Sequence, residues 1–143
     1  MFKPDIMNMY QEIPKETLIK WVKLIIDAMH KDLKNQLDDY THLLDLFQMY
    51  ENNLLSIDKA RKKALSLHQK ARESNDPKEV LLYRIYGQAI STIHVKTHAF
   101  HVANYILKLY SLKKMNATDV FAYHIKTLDQ AYEMTYQKQD DII

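Results

Sequence analysis

Residues that form tight turns are nearly absent from this chain. One glycine and three prolines occur in 143 residues. Hairpin turns depend on such residues, because glycine adopts positive φ and proline presets the backbone. A sheet-rich fold needs many tight turns, whereas long helices need few connections. The sequence therefore predicts an all-α fold, which we expect to be a single-domain bundle of five or six helices over residues 1–143.

The composition is that of a globular domain. The chain is 47% hydrophobic and 27% charged, and a domain of this length buries about two-thirds of its unfolded surface. A net charge of +2 is too small to indicate a nucleic-acid-binding surface. The absence of cysteine excludes disulfides, thiolate metal sites and cysteine nucleophiles.

The N-terminal residues do not have the pattern of a secretory signal, because Pro4 and Asp5 interrupt them early. No apolar run approaches the roughly 18 residues of a membrane span. The longest, between Trp21 and Met29, contains two charged residues. We therefore expect a cytoplasmic protein with neither a membrane nor a nucleic acid as partner.

Apolar residues at helical spacing mark the predicted helices. The first helix is expected to start after Pro14, and a short turn at Lys34–Asp39 to separate it from the second, although one longer bent helix also fits. Ser56 and Asp76 are expected to cap the next two helices. The predicted inner faces are Leu18, Trp21, Val22, Ile25, Met29 and Leu33; Leu37, Tyr40, Leu43, Leu44, Phe47 and Tyr50; Ile57, Ala60, Ala64, Leu67 and Ala71; and Phe121, His124, Leu128, Ala131 and Tyr132.

The fourth helical region, residues 79–113, is too long to be one straight helix. It would span roughly 50 Å, which exceeds a compact domain of this size. We therefore predict a kink or break, either at Gly87 or at Val95–Thr97. Residues 137–143 are predicted to form a frayed, flexible tail.

The stretch from Tyr83 to Tyr105, YRIYGQAISTIHVKTHAFHVANY, has the most distinctive pattern. It contains the single glycine and three of the seven histidines. On a helix, its polar members recur at steps of four and three residues and share one face. We name this face the polar stripe; it comprises Gly87, Ser91, His94, His98, His101 and Tyr105, with Arg84 and Gln88 beside it.

The histidines admit three interpretations. His94 and His98 have the spacing of two metal ligands on one helix, but no second cluster of ligand residues accompanies them. We therefore favour histidines that pack or hydrogen-bond at a helix interface over a metal site or an acid–base role, and predict no cofactor. No catalytic residue is predicted either, because Ser91 lies on a regular helix that offers no oxyanion hole.

Glycine within a helix costs about 1 kcal/mol relative to alanine, so Gly87 requires a reason. Either a neighbouring helix approaches closely there, which we favour, or the space admits a ligand. We predict that Gly87, Gln88, His94 and His98 form a packed polar seam. Arg84 either binds an acidic group, in the core or on a partner, or extends its head into water.

The motif R-x-x-G-Q-A-x-x-T-x-H-V-x-T-H-A-x-x-x-A-x-Y resembles that of the bacterial immunity-five-like family of immunity proteins. Here it consists of Arg84, Gly87, Gln88, Ala89, Thr92, His94, Val95, Thr97, His98, Ala99, Ala103 and Tyr105. The preceding helix, with Ala60, Arg61, Ala64, Ala71 and Arg72, is also similar, so the resemblance covers residues 56–112. Lys96 stands where members of the family often have proline.

The resemblance implies a small helical protein that binds and blocks a cognate bacterial toxin without catalysing a reaction. The alternative is a small-ligand or metal-binding protein that uses the face of His94, His98 and His101. A homodimer is a further open alternative. The candidate binding residues are Arg84, Gly87, Gln88, Ser91, His94, His98, His101 and Tyr105.

Overall fold

In a computed structural model, the chain forms seven helices and no strand within the described residues, which are 1–10, 12–34 and 36–142. The all-α prediction is confirmed, but the number of helices exceeds the five or six expected. The additional element is α1, whose five residues are too few to show a helical period. The helices are α1 (Pro4–Asn8), α2 (Lys15–Leu33), α3 (Asp39–Glu51), α4 (Ile57–Glu73), α5 (Pro77–His94), α6 (His98–Leu112) and α7 (Ala117–Ile142).

Helix α5 lies at the centre and packs against α2, α3, α4 and α6. Ile85, Tyr86 and Ile90 on α5 are completely buried. A cluster of aromatic rings joins the N-terminal segment to this core, because Phe2 lies 5.7 Å from Trp21 and 5.4 Å from Phe100 between ring centroids. Helix α5, which carries the first part of the polar stripe, is therefore surrounded by four other helices.

Most residues of the predicted inner faces are buried or half-buried, and two are exposed. Leu44 is 39% exposed and Ile57 is 47% exposed. Leu44 follows Leu43, which is buried, and successive residues of a helix point about 100° apart. Ile57 is the first residue of α4, and the buried residues of this helix begin at Ala60. The half-buried members are Leu33, Leu37, Tyr50, Phe121, Ala131 and Tyr132.

The predicted starts of α2, α4 and α5 and the predicted turn between α2 and α3 agree with the structure. Helix α2 ends at a left-handed residue, with φ of 53°, at the start of the predicted turn Lys34–Asp39, so one long bent helix is excluded. The Ser56 hydroxyl accepts the amide hydrogen of Lys59 at 3.1 Å. The Asp76 carboxylate accepts that of Lys78 at 3.0 Å. Both side chains thus cap helices as expected.

The predicted break in residues 79–113 lies at Val95–Thr97 and not at Gly87. Helix α5 ends at His94 and α6 begins at His98, with Val95 in an extended conformation. The Lys96 ammonium group donates to the carbonyl of Ile13 at 2.9 Å and so ties the break to the segment before α2. The polar stripe is therefore divided between two helices and does not form one helical face.

The backbone of α7 is helical to Ile142, whereas side chains beyond Thr135 and residue 143 lie outside the described residues. The frayed tail at 137–143 thus stays a prediction. Within the described part of the chain, no helix combines the length and apolar character needed to cross a membrane.

Candidate functional site at the junction of α4, α5 and α6

Gly87 makes room for a side chain of the neighbouring helix. The imidazole of His68, on α4, lies directly over it: a Cβ atom built on Gly87 would be 2.9 Å from both Cε1 and Nε2 of that ring. Any side chain at this position would have to displace the imidazole or separate the helices. The space beside Gly87 is thus filled by the protein itself, which agrees with close packing and not with room for a ligand.

His68 is held by Arg84, whose guanidinium donates to Nδ1 at 2.8 Å. Because arginine only donates, Nδ1 must carry the lone pair, and the neutral ring has its proton on Nε2. Burial lowers the pKa of His68, and the charges of Arg84, Arg72 and His98 lower it further. His68 is therefore a neutral acceptor that positions the Arg84 guanidinium.

Arg84 is half-buried, and none of the salt bridges within the described residues includes it. Arg72 lies near enough to His68 to affect its pKa. The junction thus holds a guanidinium whose one described partner is a neutral imidazole, with a second guanidinium nearby. Such a charge is ready to pair with an anionic group.

Gln88 and His98 connect the two helices across the break. Their side chains form a 2.7 Å hydrogen bond between Gln88 Oε1 and His98 Nδ1. Burial lowers the pKa of His98, and the charges of His101 and His94 lower it further. The ring of His101 lies 5.7 Å from that of His98. This bond joins the first residue of α6 to α5 across the break.

The predicted seam of Gly87, Gln88, His94 and His98 is wrong in one member. His94 is exposed, because it is the last residue of α5 and the chain changes direction after it. The imidazole that packs against Gly87 is that of His68, on α4. His94 and His101 instead lie at the exposed edge of the junction.

Ser91 and Tyr105 do not take part in this cluster. The Ser91 hydroxyl donates to the carbonyl of Gly87 at 2.9 Å, so its donor is used within its own helix. The Tyr105 ring is half-buried, and the Lys108 ammonium lies 4.9 Å from its centre. Of the candidate residues, the structure therefore brings together Arg84, Gly87, Gln88, His94, His98 and His101.

His68 and Arg72 were not among the predicted binding residues; Arg72 entered only through the resemblance of the helix before the motif. The available signal was the position of His68 on α4, four residues after Ala64 and three before Ala71, both buried against the core. A polar residue close to such a small-residue face suggests a partner on the next helix. We name the set Arg72, Arg84, His94, His98 and His101 the junction surface.

The fold removes the helical i, i+4 relation of His94 and His98 on which the predicted alternative of a metal site depended. His94 and His98 are four residues apart, but the residues between them are not helical, so the two do not share a helical face. Over the described residues, no group of three or more histidine or acidic side chains is arranged to hold a metal ion. Four surface grooves of about 310 to 880 Å³ lie elsewhere on the described residues, and none of the four is lined by a residue of the junction surface.

We expect His98→Ala to lower the free energy of unfolding by about 1 kcal/mol, because it removes a half-buried hydrogen bond. Thermal melts with zinc and with chelator should show the same loss. His101→Ala is the matched control: because His101 is exposed, its substitution should hardly change the free energy of unfolding. A zinc-dependent rise in the melting temperature of the wild type that disappears in His98→Ala would contradict the packing role.

Residues 8–139 match the sequence family described as "Imm-5 like putative immunity protein". The chain belongs to this family. The motifs placed the resemblance at residues 56–112. The Imm-5 like match covers nearly the whole chain, including most of the N-terminal part, where the motifs gave no resemblance. No curated protein and no solved structure matches the chain.

Proposed function

We propose that this Imm-5 like protein is a non-catalytic immunity protein that binds and blocks a cognate protein toxin through the junction surface. Family membership supports the class of function. The observation that carries the choice of surface is the Arg84 guanidinium, which is half-buried and bound to neutral His68. A bound carboxylate of the partner would supply the opposite charge that this position lacks among the described residues.

The packing under the junction surface supports this assignment. His68 over Gly87 holds α4 against α5, and the bond from Gln88 to His98 holds α6. A binding surface that is already fixed loses less conformational entropy when the partner arrives. The residues of the family motif are thus divided between a supporting layer and an exposed layer that the toxin contacts.

The matching toxin surface should carry Asp or Glu residues. The net charge of the whole chain is only +2, so attraction over long distances is weak, and complementarity has to be local. Arg84 can form two parallel bonds to one carboxylate, with Arg72 and the exposed histidines around it. The protein would act by covering the toxin's working surface, which requires no catalytic group.

Rescue from the toxin tests this proposal. The protein should be co-expressed with the toxin-like product of the nearest neighbouring gene, and the wild type should restore growth and co-purify with it. Arg84→Gln retains a donor for His68 but removes the charge. We expect it to weaken the complex about tenfold or more, since hydrogen bonds between charged groups contribute about 1.5–3 kcal/mol.

Arg61→Gln is the matched control, because Arg61 is an exposed arginine of α4 outside the junction surface. It should bind and rescue as the wild type does. Circular dichroism should show that both variants stay folded. Equal binding by Arg84→Gln and the wild type would reject the junction surface, and absence of any complex or rescue would reject toxin inhibition itself.

A further inference from the structure

A groove between α2, α6 and α7 lies outside the junction surface. Its volume is about 560 Å³, which is within the range of small-molecule sites. Ile25, Met29 and Ile106 contribute apolar walls, and Asp32, Asp119 and His124 are among its polar lining residues. Apolar walls with a few polar groups are typical of ligand-binding sites.

His124, one of the residues that line this groove, has an unsatisfied nitrogen. The residue is 2% exposed, and its Nδ1 atom is buried without a hydrogen-bond partner among the described residues. Its ring packs edge-on against Trp21, 6.4 Å between centroids. Buried polar atoms are nearly always paired. The unpaired Nδ1 of His124 therefore indicates a hydrogen-bond partner from outside the chain.

His124 is neutral near pH 7, because burial lowers its pKa to about 4 and the charge of the N-terminal ammonium acts in the same direction. A neutral ring can accept a hydrogen bond at the nitrogen that carries the lone pair. It therefore does not repel a cation, as a protonated histidine would. An N–H group of a ligand is a suitable partner for it.

The charged side chains that line the groove favour a cation. Asp32 accepts the hydroxyl of Tyr110 at 2.7 Å, and Asp119 accepts the side-chain amide of Asn116 at 2.9 Å. Neither carboxylate forms a salt bridge within the described part of the chain. Among the described residues, Lys31 is the lysine that lines the groove, and it is already paired with Asp27 at 3.0 Å. Neither Asp32 nor Asp119 therefore has a cationic side chain as partner in that part of the chain.

We propose that this groove binds a small organic cation, an amine or guanidine on an apolar stem. The carboxylates of Asp32 and Asp119 attract the charged head, His124 accepts one of its N–H groups, and the stem packs on Ile25 and Met29. Tyr123 forms part of the wall, and an aromatic ring adds attraction for a cation. This site is independent of toxin binding at the junction surface.

The test is titration of the wild-type protein with n-butylamine and n-butylguanidine, with n-pentanol and butyrate as neutral and anionic analogues. The imidazole NMR signals of His124 report binding directly. We expect saturable shifts with the two cations and none with the analogues. Asp32→Asn keeps an acceptor for Tyr110 but removes the charge, and should weaken binding about tenfold or more.

Asp58→Asn is the matched control, because Asp58 is an exposed acid of α4 far in sequence from the groove, and it should bind the cations as the wild type does. Equal shifts with n-pentanol would overturn the choice of a cation. Absence of any saturable shift of the His124 signals would overturn the site, since the nitrogen would then meet water only. Either result leaves the Arg84 test of toxin binding unaffected.

Discussion

Acidification from about pH 7.5 to about pH 5 is expected to lower the free energy of unfolding by about 2 kcal/mol through His124 alone. Burial lowers the pKa of this residue from 6.5 to about 4 in the folded state. Between these values the unfolded chain binds a proton that the folded chain does not. The contribution of His124 to the free energy of unfolding is therefore fully present above pH 6.5 and is lost as the pH falls towards 4.

His68 and His98 act in the same direction, because the fold also lowers their pKa. Urea unfolding at several pH values measures the total effect. His124→Phe preserves the ring that packs on Trp21 but removes the titrating group and the unpaired nitrogen. It should flatten the pH dependence and leave stability at pH 7 unchanged or higher. An unchanged slope in His124→Phe would contradict the assignment to this residue.

Gly87→Leu is expected to lower the free energy of unfolding by about 1–3 kcal/mol, the usual cost of overpacking a filled site. The first added atom alone would lie 2.9 Å from the ring of His68. The branched remainder of leucine would have to occupy the space of that ring. Either α4 moves away from α5 or the bond from His68 to Arg84 breaks.

Gly87→Ala in two backgrounds isolates the cause. In the His68→Ala background the imidazole is absent, so alanine should stabilise α5 by about 1 kcal/mol through its higher helix propensity. In the wild-type background the contact with His68 should cancel part or all of this gain. Chemical denaturation of the four proteins gives the coupling. Equal stabilisation in both backgrounds would show that His68 is not the reason for the glycine.

The helices were predictable where a local pattern decides them. Ser56 and Asp76 cap helices through their own side chains, so the sequence is sufficient to place them. The length of the region 79–113 required a break, but not its place. Gly87 and Val95–Thr97 both weaken a helix, and the choice between them depends on distant contacts such as that of Lys96 with Ile13.

The candidate site was predictable only in part, because periodicity reports neighbours on one helix and not across two. It placed His94, His98 and His101 on one face, and the break removed that relation. The contact of His68 with Gly87 joins residues of different helices. That Arg84 forms no salt bridge with any described residue is likewise a property of the fold. The motif residues can be read from the sequence, whereas only the structure separates those that are buried from those that are exposed.

Hydrogen exchange of the protein alone and in complex with the proposed toxin tests the junction surface most directly. If the toxin binds there, the amides of residues 91–105 and those around Arg72 and Arg84 should exchange more slowly in the complex. The groove between α2, α6 and α7 should change little. Protection confined to α2 and α7, with residues 91–105 unchanged, would show that the toxin binds another surface.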